Sequence, residues 1–211
     1  ARTQLGSCHR LPPNHLASCQ YPMASPATLK ANTTVASNKD IEIAKPIRLI
    51  LSDVDGVLTD GSITIDNAGI ESKTFYVRDG LAIKLWQRAG FIFGILTARN
   101  SQVVKLRAAE LDIQIVRQGF SDKLPAALEI LSQLGISAEE TCYIGDDLPD
   151  LPVLNEVGLP VTVLDAAPEV LAAAKWTMQS RGGRGAVREL IERLLKAKGC
   201  WENSLPTQRA E

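Results

Sequence analysis

The chain has 211 residues, of which 45% are hydrophobic and 22% charged, and its formal net charge is −1. That balance suits a soluble globular domain with tails. It offers no basic field for nucleic acid, and no apolar run reaches the roughly 18 residues that cross a bilayer.

The four cysteines, Cys8, Cys19, Cys142 and Cys200, form no tight pair and no C-x-x-C. This argues against a disulfide framework and fits a reducing, cytoplasmic compartment. Residues 1 to about 45 are set apart from the rest. Pro, Ser, Ala, Asn and Thr dominate there, the first 38 residues hold no Asp or Glu, and no helical or strand period is sustained. The stretch reads as a disordered extension. A lack of acidic residues is also a trait of organellar transit peptides, but Arg2 and Arg10 are the only arginines in it. Cys8, His9, His15 and Cys19 match none of the usual zinc spacings.

The run from Ile47 to Ser52 is apolar and reads as a buried strand. It ends in Asp53-Val54-Asp55, and Gly56 permits a sharp turn. In an open α/β sheet ligands bind outside the carboxyl ends of the strands. Two carboxylates so close repel unless a cation or proton lies between them, and such a cluster favours a hard ion such as Mg²⁺. An isolated Asp-x-Asp is more often a solvated turn; here the later segments supply partners. Next, two short segments rich in Ile, Thr, Phe and Tyr flank Asp66-Asn67-Ala68-Gly69 within residues 61–77, a β-hairpin signature beside the two Asp. The hairpin carries enough apolar residues to be an interface.

Asp79 to Arg88 reads as a helix with Leu81, Leu85 and Trp86 on one side, ended by Gly90. Phe91 to Leu96 is a second buried strand, running into Thr97-Ala98-Arg99. Asn100 is placed to cap a helix whose apolar positions are Val103, Val104, Leu106 and Leu111. A short strand at Ile113 to Val116 follows, then a helix opened by Ser121 or Asp122 and running to about Leu134. Thr141 to Ile144 is a strand ending in Gly145-Asp146-Asp147-Leu148-Pro149-Asp150, and Val161 to Leu164 is another. Glu189 to Lys198 forms a last amphipathic helix, and Gly199 to Glu211 reads as a frayed tail. Strands alternating with helices predict an α/β fold with a doubly wound, Rossmann-like parallel sheet over residues 46–198.

Asp53 and Asp55, Thr97, Lys123, and Asp146 with Asp147 and Asp150 all fall at strand ends or helix starts. Together they describe phosphoryl transfer. A phosphoester needs a nucleophile, a cation to screen its charge, donors for its oxygens and an acid for the leaving group. A carboxylate can attack phosphorus, and a second can protonate the leaving oxygen and then activate water. A hydroxyl and an ammonium can hold the phosphoryl oxygens.

These motifs, in this order, resemble the haloacid dehalogenase superfamily of aspartyl phosphatases. Longer stretches resemble its 3-deoxy-D-manno-octulosonate 8-phosphate phosphatase family. They are residues 53–61, Val77-Arg78-Asp79-Gly80, Gln118-Gly119 with Lys123, and residues 182–189. The likeness spans residues 46 to about 198. It implies Mg²⁺-dependent hydrolysis of a sugar-acid phosphate, feeding lipopolysaccharide synthesis. It also implies a homotetramer without a large cap domain, in which one subunit's hairpin helps cover a neighbour's site.

By that resemblance Asp53 is nucleophile and Mg²⁺ ligand, and Asp55 is general acid/base and offers its backbone carbonyl to the metal. Asp146 is the third ligand, and Thr97 and Lys123 hold phosphate. The sugar acid is implied to meet Tyr76, Val77, Arg78, Asp79, Gly80, Lys84, Arg99 and Arg107, besides Asp55 and Lys123. Asp147 and Asp150 are read as orienting or capping residues, while Lys73 and Arg184 are within reach of a neighbouring site. Ala98 departs from the family's usual Gly, a change that leaves the Thr97 hydroxyl in place. Two alternatives stand beside this reading: a phosphatase for nine-carbon, sialic-type sugar 9-phosphates, and a non-catalytic oligomeric scaffold. Retention of Asp53, Asp55, Thr97, Lys123 and Asp146 speaks against the scaffold.

Overall fold

The computed structural model describes residues 38–205. Helix α1 (Asn38–Ala44) leads into strand β1 (Leu49–Ser52), and a hairpin of β2 (Thr64–Ile65) and β3 (Glu71–Ser72) follows. Then come α2 (Val77–Arg88), β4 (Ile92–Thr97), α3 (Gln102–Glu110), β5 (Ile115–Gln118), α4 (Lys123–Leu134) and β6 (Thr141–Gly145). A 3-10 turn (Leu148–Asp150) runs into α5 (Leu151–Leu154). The described chain finishes with β7 (Leu159–Thr162), α6 (Pro168–Ala173), β8 (Trp176–Thr177), α7 (Ala186–Ala197) and α8 (Trp201–Ser204).

The main sheet has six parallel strands in the order β5-β4-β1-β6-β7-β8. The chain runs outward from β1 to β5, then crosses back to β6 and runs outward the other way. Strand order therefore reverses beside β1, and the crevice beyond its carboxyl end is where such sheets bind ligands. Every residue of β1 is buried, as expected of a central strand covered on both faces. On α7, Val187, Leu190, Ile191, Leu194 and Leu195 recur at helical spacing and are all buried. The doubly wound fold expected from the sequence is the fold observed. Among the described residues no helix is long and apolar enough to cross a membrane.

Several local expectations are corrected. The stretch to residue 45 was expected to lack structure, but residues 38–44 form α1. Ala44 lies in the core, Ile41 and Ile43 pack against it, and Asp40 pairs with Arg193 at 2.7 Å. Seven residues show too little of a period to reveal a helix that tertiary packing stabilises. At the other end, α8 falls within the expected frayed tail. Its Trp201 lies under Arg188 and Lys196, 4.9 and 5.7 Å from the ring centroid, and those contacts hold the segment. Residues 1–37, with the imagined zinc ligands, and 206–211 lie outside the described residues.

Leu81, expected on the inner face of α2, is 47% exposed, whereas Ala82, Ile83, Leu85 and Trp86 are buried. Leu106 of α3 likewise faces outward, and Val104 and Ala108 face in. Asn100 does not cap α3: the N-cap is Ser101, with no side-chain capping bond. Strands β5 and β7 are displaced by two residues from their expected spans, and α6 and β8 add elements too short for a periodic signal.

Candidate active site

Four loops converge at the carboxyl end of the sheet. β1 delivers Asp53 and Asp55, β4 delivers Thr97, β6 delivers Asp146, and Lys123 opens α4. They line one cleft of about 260 Å³ together with Gly61, Arg99, Asp147 and Asp150. The structure thus brings together all the residues assigned to catalysis and metal binding. Gly56 lies against the cluster so closely that a β-carbon there would stand 2.0 Å from Asp146 Oδ2, so no other residue fits.

Lys123 is the pivot. Its ammonium is buried, 3.0 Å from Asp53 Oδ2 and 2.6 Å from Asp150 Oδ1. Burial disfavours its charge, but Asp53 and Asp150 outweigh that and raise its pKa. Asp150 is saturated. Its Oδ1 accepts from Lys123 and from the Tyr143 hydroxyl at 2.6 Å, and its Oδ2 accepts from the amides of Asp146 and Asp147 at 2.9 and 3.2 Å. Asp147 accepts from the Leu148 amide and forms a capping box with Asp150. Both carboxylates orient the loop, as the sequence suggested.

Asp53 and Asp146 differ from this pair. Oδ1 of each is buried and has no hydrogen-bond partner. Burial pushes Asp53 up from 3.8 to about 6, with the Lys123 charge opposing and Asp150 adding. Burial, then the charges of Asp53, Asp150 and Asp147, push Asp146 up to about 8. Carboxylate oxygens of Asp53, Asp146 and Asp150 lie within 4.8 Å of one another. Two carboxylates in one cluster, each with a buried unpartnered oxygen, suit a hard divalent cation, which would offset both their burial and their mutual repulsion. Because Asp150 is already saturated, Asp53 and Asp146 are the side chains that fit as ligands.

Asp55 sits at the edge. Its Oδ1 accepts from Lys73, and its Oδ2 lies 3.8 Å from Arg99 Nε. Lys73 comes from the hairpin of the same chain, and its side chain is fully buried. Glu71, also on the hairpin, pairs with Arg99 at 3.0 Å and lies 3.4 Å from Lys73. Through Lys73 and Glu71 the hairpin thus touches Asp55 and Arg99 at the edge of its own chain's site. Arg184 lies 3.8 Å from Asp60.

The residues implied as sugar contacts divide. Besides Asp55 and Lys123, Arg99 alone lines the cleft. Tyr76 is the N-cap of α2, and Val77 and Arg78 are exposed beside it. Asp79 and Gly80 are buried against the protein interior. Lys84 pairs with Asp112 at 2.9 Å, and Arg107 pairs with Glu110 at 2.7 Å under the Phe75 ring. Within one chain these seven do not reach the catalytic carboxylates.

Sequence reasoning missed Glu71 and Tyr143. Glu71 and Lys73, two apart on a strand-like segment, share a face, which is the signal that was available. For Tyr143 the signal was a phenol inside an otherwise apolar strand, which needs a buried partner.

A family profile of haloacid dehalogenase-like hydrolases matches residues 109–190. The 3-deoxy-D-manno-octulosonate 8-phosphate phosphatase of Escherichia coli strain K12 is 41% identical over 184 residues, covering 87% of this chain and 91% of that protein. The crystal structure of the phosphatase of that name from Yersinia pestis has a TM-score of 0.77 and 43% identity, covering 78% of this chain and 89% of that one. The Moraxella catarrhalis phosphatase, solved with magnesium ion, phosphate ion and a KDO molecule, gives a TM-score of 0.77 and 40% identity, covering 79% and 95%. With this identity across nearly the whole relative, and with the cleft carrying every catalytic residue of the motif set, the chain belongs to the 3-deoxy-D-manno-octulosonate 8-phosphate phosphatase family of haloacid dehalogenase-like hydrolases.

Proposed function

We propose that the chain hydrolyses 3-deoxy-D-manno-octulosonate 8-phosphate to the free sugar acid and phosphate, with Mg²⁺ as cofactor. The observation that carries this is the pair of buried, unpartnered oxygens on Asp53 and Asp146 beside the Lys123 ammonium. Asp53 attacks phosphorus and forms an acyl phosphate, while the ester oxygen departs with a proton from Asp55. Asp55 then takes a proton from water as that water attacks phosphorus, which frees Asp53 and releases inorganic phosphate. Lys123, locked by Asp150, and Thr97 hold the phosphoryl oxygens. Asp53, Asp146 and the Asp55 carbonyl would hold the Mg²⁺, which when bound would supply charge screening at the phosphoryl group. Arg99 is the cation placed to meet the sugar acid's carboxylate.

The working unit we propose is a homotetramer. A cleft of about 260 Å³ is below the roughly 300–1,000 Å³ of sites that enclose a whole ligand, so it holds the phosphoryl group and leaves the sugar uncovered. Ile63, Ile65 and Ile70 of the hairpin region and Val77 and Leu81 of α2 are 47–79% exposed, an apolar surface suited to a second copy. Tyr76, Val77, Arg78, Lys84 and Arg107 then serve across that contact, whereas Asp79 and Gly80 are buried within their own chain. A cytoplasmic location fits cysteines that form no disulfide pattern.

Phosphate release from a panel of sugar phosphates tests the reading. Turnover of the eight-carbon substrate is expected to stop with chelator and in Asp53→Asn. Preference for a nine-carbon sugar 9-phosphate would reassign the substrate, and no release from any member of the panel would favour the scaffold.

A further inference from the structure

The N-terminus of α7 is capped from a distant part of the chain. Gly185, its N-cap residue, has φ +104°, a conformation that leaves no room for a capping side chain without strain. Asp79 of α2 fills the role: its Oδ1 accepts from the amide of Arg188, the third residue of the helix, at 2.7 Å. An ordinary N-cap side chain makes that same bond. Asp79 is 2% exposed, and its Oδ2 is buried without a hydrogen-bond partner. Burial pushes its carboxyl up to about 6, while the amides of Arg188 and Gly185 and the guanidinium groups of Arg107 and Arg188 pull the other way.

The cap anchors a strap, Gly182-Gly183, just ahead of α7. Gly183 donates its amide to the Val57 carbonyl at 2.9 Å, and a β-carbon at Gly182 would lie 1.8 Å from the Gly56 carbonyl oxygen. The strap therefore packs backbone on backbone against the turn that follows Asp53 and Asp55. On that turn Gly56 abuts Asp146. A continuous series of contacts runs from Asp79 to the carboxylates that present unpartnered oxygens.

We propose that Asp79 is a positioning residue: by capping α7 it seats the Gly182-Gly183 strap and keeps the Gly56 turn and Asp146 in register with Asp53. Resting on the phosphatase reading above, this removes Asp79 from the sugar contacts and gives it a role in every phosphoester the enzyme cleaves.

Asp79→Ala and Asp79→Asn, assayed on the sugar phosphate and on p-nitrophenyl phosphate, separate the two roles. A positioning residue predicts that Asp79→Ala lowers kcat about tenfold or more on both substrates by the same factor, with KM within about twofold. Asp79→Asn, whose amide oxygen still accepts from Arg188, recovers most of that loss. A loss confined to the sugar phosphate and read as raised KM would overturn the proposal. Amide hydrogen exchange at Gly183 and Arg188 gives a readout independent of turnover, expected to speed about tenfold or more in Asp79→Ala and far less in Asp79→Asn. Unchanged exchange at both amides also overturns it. Faster exchange together with weaker Mg²⁺ binding in Asp79→Ala, in an enzyme inactive on both substrates even as wild type, upholds the cap and sinks the phosphatase reading instead.

Discussion

Lys123 Nζ lies 2.6 Å from Asp150 Oδ1, with both side chains buried. Asp150 therefore does two things: it compensates a buried charge that would otherwise face Asp53 alone, and it ties down the amides of Asp146 and Asp147. Asp150→Ala is expected to lower the unfolding free energy by about 3–5 kcal/mol, the usual cost of breaking a buried pair from one side. Denaturant unfolding measures it. A midpoint within error of wild type would show that water reaches Lys123.

The metal-free protein should have an inverted pH profile. Asp53 and Asp79 rise from 3.8 to about 6 and Asp146 to about 8, so the folded chain holds these protons more tightly than the unfolded one. Their contribution is largest at low pH and is lost as pH rises from 3.8 through the folded values. Glu71 and Glu192 are shifted down and act oppositely, costing stability as pH falls below 4.5. In chelator the melting temperature should peak near about pH 5 and decline toward about pH 8. Mg²⁺ should reverse the decline above about pH 6, where it binds the ionised Asp53 and Asp146. Melts with and without Mg²⁺ at constant ionic strength test this; a flat profile in chelator contradicts it.

Charges on the hairpin should split the proposed tetramer without stopping the chemistry. Ile63 and Ile65 are 49% and 59% exposed and contribute nothing to the core. Ile63→Asp with Ile65→Asp is expected to give smaller species by sedimentation and a KM for the sugar phosphate raised about tenfold or more, while p-nitrophenyl phosphate is still cleaved. A wild-type monomer that is fully active would exclude completion of the site by a second copy.

Two truncations should behave differently. Removing residues 1–37 leaves α1 in place. Removing residues 1–45 takes away Ala44, the packing of Ile41 and Ile43, and the Asp40–Arg193 pair. The longer truncation is expected to be less stable than the shorter by about 2–5 kcal/mol, the range of buried aliphatic deletions. Urea midpoints of the two proteins side by side decide it, and equal midpoints would make α1 dispensable.

The catalytic cluster was legible because it is local. Each member follows an apolar strand or opens a helix, and the carboxyl ends of parallel strands share one edge whatever the details of packing. Asp53, Asp55, Thr97, Lys123 and Asp146 could therefore be grouped from spacing and motif order alone. Periodicity says which residues share a face; it does not say which face finds a partner. That is why Leu81 and Leu106 point outward, and why α1 and α8 were missed. The tertiary structure alone brings Lys73 onto the Asp55 of its own chain, and Tyr143 onto Asp150. It alone sets Asp79 against an amide 109 residues away. A hydrogen bond across that distance has no local signature, because it exists only once two helices have packed and excluded the water that would otherwise satisfy both groups.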